Sequence, residues 1–128
     1  MRVLLDTHTL IWWVLDSNKL SKAARQTITD FENEVFVSAA SAWEISTKFR
    51  LGKLPEAEPL VVSFKDSVRK LNFSELPVSI EHGARAGLLI GDHKDPFDRL
   101  LMAQSLSEGF PLVSNEEIFD SYHIHRIW

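Results

Sequence analysis

The chain contains no cysteine. Disulfides and thiolate metal centres are therefore excluded, and the absence fits a reducing compartment. No apolar run approaches the roughly 20 residues needed to cross a bilayer as a helix. The start, Met1-Arg2-Val3-Leu4-Leu5-Asp6, meets an acid too soon for a secretory signal. These features predict a cytoplasmic protein with no membrane segment. A surplus of basic charge is also missing. The net charge is −4 at pH 7, which argues against a protein that coats nucleic acid. Nucleic acid stays open as a substrate, because divalent cations held by acids reverse the local field.

At 128 residues, with 45% hydrophobic and 25% charged residues, the composition is that of an ordinary globular protein. One domain spanning 1–128 with its own core is expected. There is no internal repeat or linker. Short apolar runs at Arg2–Leu5, Glu34–Ser38, Leu112–Ser114 and Ile124–Trp128 read as strands, and Phe73–Leu76, bounded by Pro77, as a short strand or an extended segment. Between them lie helical stretches: Thr7–Leu15, Ser21 to about Asn33, Ala39–Leu51 closed by Gly52, Leu60–Leu71, Ser79 to about Leu89, and Pro96–Glu108 closed by Gly109. A single helical turn is expected at Glu116–Phe119. Strands alternating with helices predict βαβ units, hence an α/β fold with a mainly parallel sheet and helices on both faces.

In open α/β sheets, sites form outside the carboxyl ends of the strands. Here those ends read Asp6, Ser38 and Ser114-Asn115-Glu116. Glu44 lies early in the helix after Ser38, and Asp98 at the start of the helix before Leu112. Four acids from distant segments could thus meet at one sheet edge. Clustered carboxylates raise one another's pKa, and a hard divalent cation such as Mg²⁺ or Mn²⁺ resolves the repulsion. Such a site suits phosphodiester hydrolysis. Each acid also has a plain structural reading. Asp6 serves equally as a helix cap. Glu44 has Lys48 four residues on, the favourable order for a surface ion pair. Asp98 suits the first turn of a helix, and Glu116 a solvated turn.

The stretch His93-Lys94-Asp95-Pro96-Phe97-Asp98-Arg99 concentrates the question. Proline is favoured at the first helical position, which makes Asp95 the N-cap and leaves Asp98 as the candidate ligand. Lys48, Arg50, Lys53 and Arg99 are the basic residues nearest the acids in sequence, with Lys48 and Arg99 the candidate substrate contacts. The histidines show no metal spacing apart from His123-x-His125, which reads as structural on a strand. Trp12, Trp13 and Trp43 read as core or interface residues rather than base-stacking platforms. There is no glycine-rich phosphate loop and no G-x-S-x-G elbow. Asp6-Thr7-His8-Thr9 lacks the second aspartate of a haloacid-dehalogenase-like phosphatase.

Four segments carry a resemblance over nearly the whole length. They are Leu4-Leu5-Asp6-Thr7-His8; Ser41-Ala42-Trp43-Glu44-Ile45 followed by Leu51-Gly52-Lys53-Leu54; His93 to Arg99 running into Ala103-Gln104; and Pro111-Leu112-Val113-Ser114 leading to Glu116 and Phe119. In this order and spacing the chain resembles PIN-domain ribonucleases, specifically the VapC-type toxins of bacterial and archaeal toxin–antitoxin pairs. The resemblance implies a three-layer αβα sandwich and a Mg²⁺- or Mn²⁺-dependent endoribonuclease acting on RNA. It maps the family's acids onto Asp6, Glu44 and Asp98. Glu116 is the best match for a fourth that is commonly aspartate. It further implies a homodimer and a cognate antitoxin that covers or enters the acidic cleft. The competing readings are a PIN-fold RNA-processing nuclease without an antitoxin and a non-catalytic PIN-fold binding module.

Overall fold

The computed structural model describes residues 1–128. Five strands form one sheet in the order β3-β2-β1-β4-β5, with every neighbouring pair parallel. They are β1 (Arg2–Leu5), β2 (Glu34–Ser38), β3 (Ser74–Leu76), β4 (Leu112–Val113) and β5 (Arg126–Ile127). The helices are α1 (Thr7–Val14), α2 (Lys22–Thr29), α3 (Ala39–Arg50), α4 (Glu58–Val61), α5 (Phe64–Lys70), α6 (Ile80–Leu88) and α7 (Pro96–Glu108). A 3₁₀ segment, Glu117–Tyr122, joins β4 to β5.

The central strand explains the layering. Successive side chains of a strand face opposite ways. Val3 and Leu5 enter a core with Leu10, Ile28, Val37 and Ile45, whereas Leu4 enters a second core with Leu101, Met102, Leu112 and Phe119. Both faces of β1 are therefore buried under helices, which is why its sequence shows no polar alternation. The expected αβα sandwich is observed.

Helix starts follow local chemistry. Asp6, Ser21, Ser38, Ser79 and Asp95 each place a side-chain oxygen on a free N–H of the first turn. Gly109 closes α7 at φ 72°, in the left-handed region that glycine tolerates.

The structure corrects several boundaries. The helix expected over Leu60–Leu71 is broken into α4 and α5. Ser63 leaves helical geometry at φ −151°, and its hydroxyl donates to Asp66 Oδ2 at 2.8 Å. Ser-x-x-Asp is a helix-start signature in sequence; here the two side chains bond each other rather than cap the backbone, and the chain still breaks at Ser63. The helix after Ser21 stops at Thr29, well short of Asn33. The last strand shrinks to Arg126–Ile127, and His123 caps the 3₁₀ segment at φ 62° instead of lying on a strand.

Candidate active site at the switch point of the sheet

Strand order reverses between β1 and β4, the point at which open α/β sheets leave a crevice. Leu5 is level with Val113 across this pair, so the next residues, Asp6 and Ser114, come side by side. The Ser114 hydroxyl donates to Asp6 Oδ2. Asp6 Oδ1 accepts from Thr9 N at 2.9 Å, capping α1. One carboxylate therefore does both jobs: one oxygen starts a helix while the other faces β4. Asp6 is only 3% exposed. Burial pushes its pKa above the usual range, against the opposing pull of the Ser114 hydroxyl, the Thr9 N–H and the His8 charge.

The helix α3 supplies the next acid. Ser38 caps it through Ala40 N at 3.0 Å, and the Ser38 hydroxyl donates to Gln104 Oε1 on α7. Buried hydroxyls of Thr7 and Ser41, 3.0 Å apart, tie the start of α1 to α3. Glu44 lies one turn further along, buried at 5% exposure. Its Oε2 accepts from Lys48 Nζ at 2.7 Å. The predicted i,i+4 pair exists, but the carboxylate is inside and only the lysine reaches solvent.

On α7, Asp95 Oδ1 accepts from Phe97 N at 2.9 Å and Asp98 N at 3.0 Å. Asp95 is the cap, and its side chain is committed to the backbone. Asp98 Oδ2 instead meets His93 Nε2 at 2.8 Å. Burial raises the Asp98 pKa to about 6; the charges of Asp95 and Glu44 add to this, and His93 opposes it. Asp98 therefore feels Glu44 across the gap between α7 and α3.

Glu116 stands after β4, half-buried, its backbone N donating to Ser114 Oγ at 3.0 Å. The structure thus links Glu116 to Asp6 through Ser114 by its main chain.

Three of the four acids have a side-chain hydrogen-bond partner: Ser114 for Asp6, Lys48 for Glu44 and His93 for Asp98. No three His, Asp or Glu side chains converge closely enough to ring one ion. Mg²⁺ does not require such a ring. It is commonly held by one or two carboxylates, with water and substrate phosphate completing the shell. An all-oxygen donor set in which burial disfavours the free charges of Asp6 and Asp98 suits a hard cation.

Arg99 is not available to substrate. Its guanidinium donates to the carbonyls of Ala86 at 2.9 Å, Leu89 at 2.6 Å and His93 at 2.8 Å. It clamps the end of α6 to the loop that carries His93. Tyr122 holds the same loop, its hydroxyl accepting from His93 N at 3.0 Å. Of the two readings offered for Trp43, core or interface, the core reading does not hold: it is 58% exposed, with its ring edge-to-face on Phe97 at 4.7 Å. Sequence reasoning overlooked Ser114, His93 and Tyr122 as site supports. Only His93 left a local trace, being five residues from Asp98.

A family model described as PIN domain matches residues 3–124. The chain belongs to the PIN-domain family. Ribonuclease VapC22 of Mycobacterium tuberculosis is 28% identical over 124 residues, covering 97% of this chain and 94% of that protein. Ribonuclease VapC16 of the same organism is 42% identical over 62 residues, 48% of this chain and 43% of that relative's length. Among solved structures, VapBC2 from Rickettsia felis bound to a fragment of promoter DNA superposes with a TM-score of 0.71. That match has 16% identity and covers 98% of this chain and 97% of the other. It supports the sandwich fold.

Proposed function

We propose that the chain is a Mg²⁺- or Mn²⁺-dependent endoribonuclease, the toxin of a toxin–antitoxin pair, acting in the cytoplasm as one PIN domain. The observation that carries the reading is Asp6 buried at the β1–β4 switch point, together with Asp98 on α7, whose pKa burial and the charges of Asp95 and of Glu44 on α3 hold up to about 6. The relatives named ribonucleases supply the reaction class. The VapBC complex supports an antitoxin partner, and a homodimer is part of the same reading.

Asp98 and Asp6 would hold the cation, with Glu44 and Glu116 beside them. When bound, the cation supplies charge neutralisation at the scissile phosphate and acidifies water. The chain's own groups do the orienting. Ser114 and Thr9 fix both oxygens of Asp6. His93 aims Asp98 from a loop pinned by Arg99 and Tyr122. Lys48 offsets the Glu44 charge.

The test is incubation of purified chain with RNA in Mg²⁺ or Mn²⁺, followed by sequencing of the new RNA ends. Cleavage is expected to stop with EDTA, resume on adding cation, and be lost in Asp98→Asn and Asp6→Asn. A folded Asp98→Asn that cleaves at the wild-type rate refutes the site. A wild-type chain inert with either cation would make the protein a non-catalytic binding module.

A further inference from the structure

One cleft beside the acids has no part in the chemistry described above. Its volume is about 420 Å³, and it is lined by Thr7, His8, Trp12, Lys19, Lys48 and Glu56 among others. The size falls in the roughly 300–1,000 Å³ range of sites for small ligands. Two residues join it to the acidic site: Thr7 follows Asp6 in the chain, and Lys48 Nζ is the hydrogen-bond donor to Glu44. Away from that end the lining turns aromatic and basic. The His8 and Trp12 rings lie 5.7 Å apart, and Lys19 Nζ stands 5.7 Å from the Trp12 ring centroid. Trp128 supports Trp12 from 5.9 Å.

We infer that this cleft binds the RNA nucleotide adjoining the scissile phosphate, with its base against the exposed ring of His8, which Trp12 backs, and its phosphate at Lys19. The inference rests on the ribonuclease reading and deepens it. Aromatic faces beside ammonium groups are the usual platform for a single-stranded nucleotide, because every base has a π-face and every linkage a charge. In a chain of net charge −4, an exposed lysine seated beside an aromatic pair is the more telling. A second cleft, along α3 and α5, is lined by Val37, Ala42, Phe64 and Val68, with Lys65 and Glu75 of opposite charge. It has no aromatic–cation pairing, and its one lysine, Lys65, is paired with Glu75 at 3.2 Å.

The test measures binding of a labelled single-stranded RNA in EDTA, so that cleavage plays no part. His8 and Lys19 are exposed, and changing them leaves the core intact. His8→Ala is expected to weaken binding at least about 5-fold, the loss of one stacked base. Lys19→Gln is expected to flatten the dependence of log affinity on log salt by about 0.7, the loss of one phosphate contact on a single strand. A wild-type chain that cleaves RNA, with both variants binding as tightly and as salt-dependently as wild type, overturns the inference alone. If those variants instead lose affinity for the cognate antitoxin, the cleft belongs to a protein partner and the inference is equally overturned. A wild-type chain that neither binds nor cleaves RNA overturns the ribonuclease reading together with it.

Discussion

Replacing Asp98 with asparagine should make the protein more stable and, on the reading above, inactive. In the folded chain the Asp98 pKa is about 6 against an ordinary 3.8. Below about pH 4 the carboxyl is protonated in both folded and unfolded chains and contributes nothing. Between pH 4 and 6 the unfolded chain ionises first, so stability falls as pH rises. Above pH 6 the full penalty of the buried charge is present. About two pKa units correspond to roughly 3 kcal/mol at most. The side chain is 26% exposed, and solvent screening at that edge removes a large part. Asp98 also lies in the first turn of α7, where a carboxylate gains about 0.3–1 kcal/mol from the helix dipole. A net gain of about 1 kcal/mol is left for asparagine, which still accepts from His93 through its amide oxygen. For a chain of this size that is a rise in Tm of roughly 3–5 °C. The assay is thermal unfolding followed by circular dichroism in EDTA at pH 4 and pH 8. Asp98→Asn should match or fall below wild type at pH 4 and exceed it at pH 8. Adding Mg²⁺ at pH 8 should raise the wild-type Tm and leave the variant unchanged. A variant less stable than wild type at pH 8 would refute the reasoning, since the charge would then be well paired.

Two further predictions concern the loop that holds His93. Arg99→Lys keeps the charge but loses the fork that reaches the carbonyls of Ala86, Leu89 and His93. It should cost about 2–3 kcal/mol, since hydrogen bonds to a charged group contribute about 1.5–3 kcal/mol. Amide hydrogen exchange should rise first over residues 89–94, and unchanged exchange there would return Arg99 to the list of RNA contacts. Gly91 has φ 145°, and an added Cβ would overlap the Tyr122 hydroxyl. Gly91→Ala should therefore push the loop away and lower stability by about 1–3 kcal/mol, the size of local backbone strain. Urea unfolding checks this. A wild-type midpoint would mean that the loop yields freely.

How much of this was legible in the chain can be judged residue by residue. The caps were local and readable. Asp95 before Pro96 and Ser79 ahead of its helical stretch announce helix starts in the sequence. The run Val3-Leu4-Leu5 announces a strand buried on both faces. Asp6 and Asp98 could be singled out because strand ends and first helical turns can be read from sequence. Glu44 could not be placed so well. A glutamate four residues before a lysine looks the same on a surface helix as on one whose acid is buried. The break at Ser63 was in the sequence as Ser-x-x-Asp but was masked by apolar periodicity on both sides.

Short-range chemistry thus determined the elements, their order and the candidate acids, because caps, turns and strand alternation act between residues a few positions apart. Tertiary structure alone decided what each candidate faces. Ser114 reaches Asp6 across 108 positions of sequence, a contact that exists only because β1 and β4 pair in parallel. Glu44 is buried because α3 packs over the sheet. Arg99 is spent on backbone carbonyls because α6 ends beside α7. The cleft between Thr7 and Lys19 arises from helices brought together by the core. These are consequences of packing, and no local pattern encodes them.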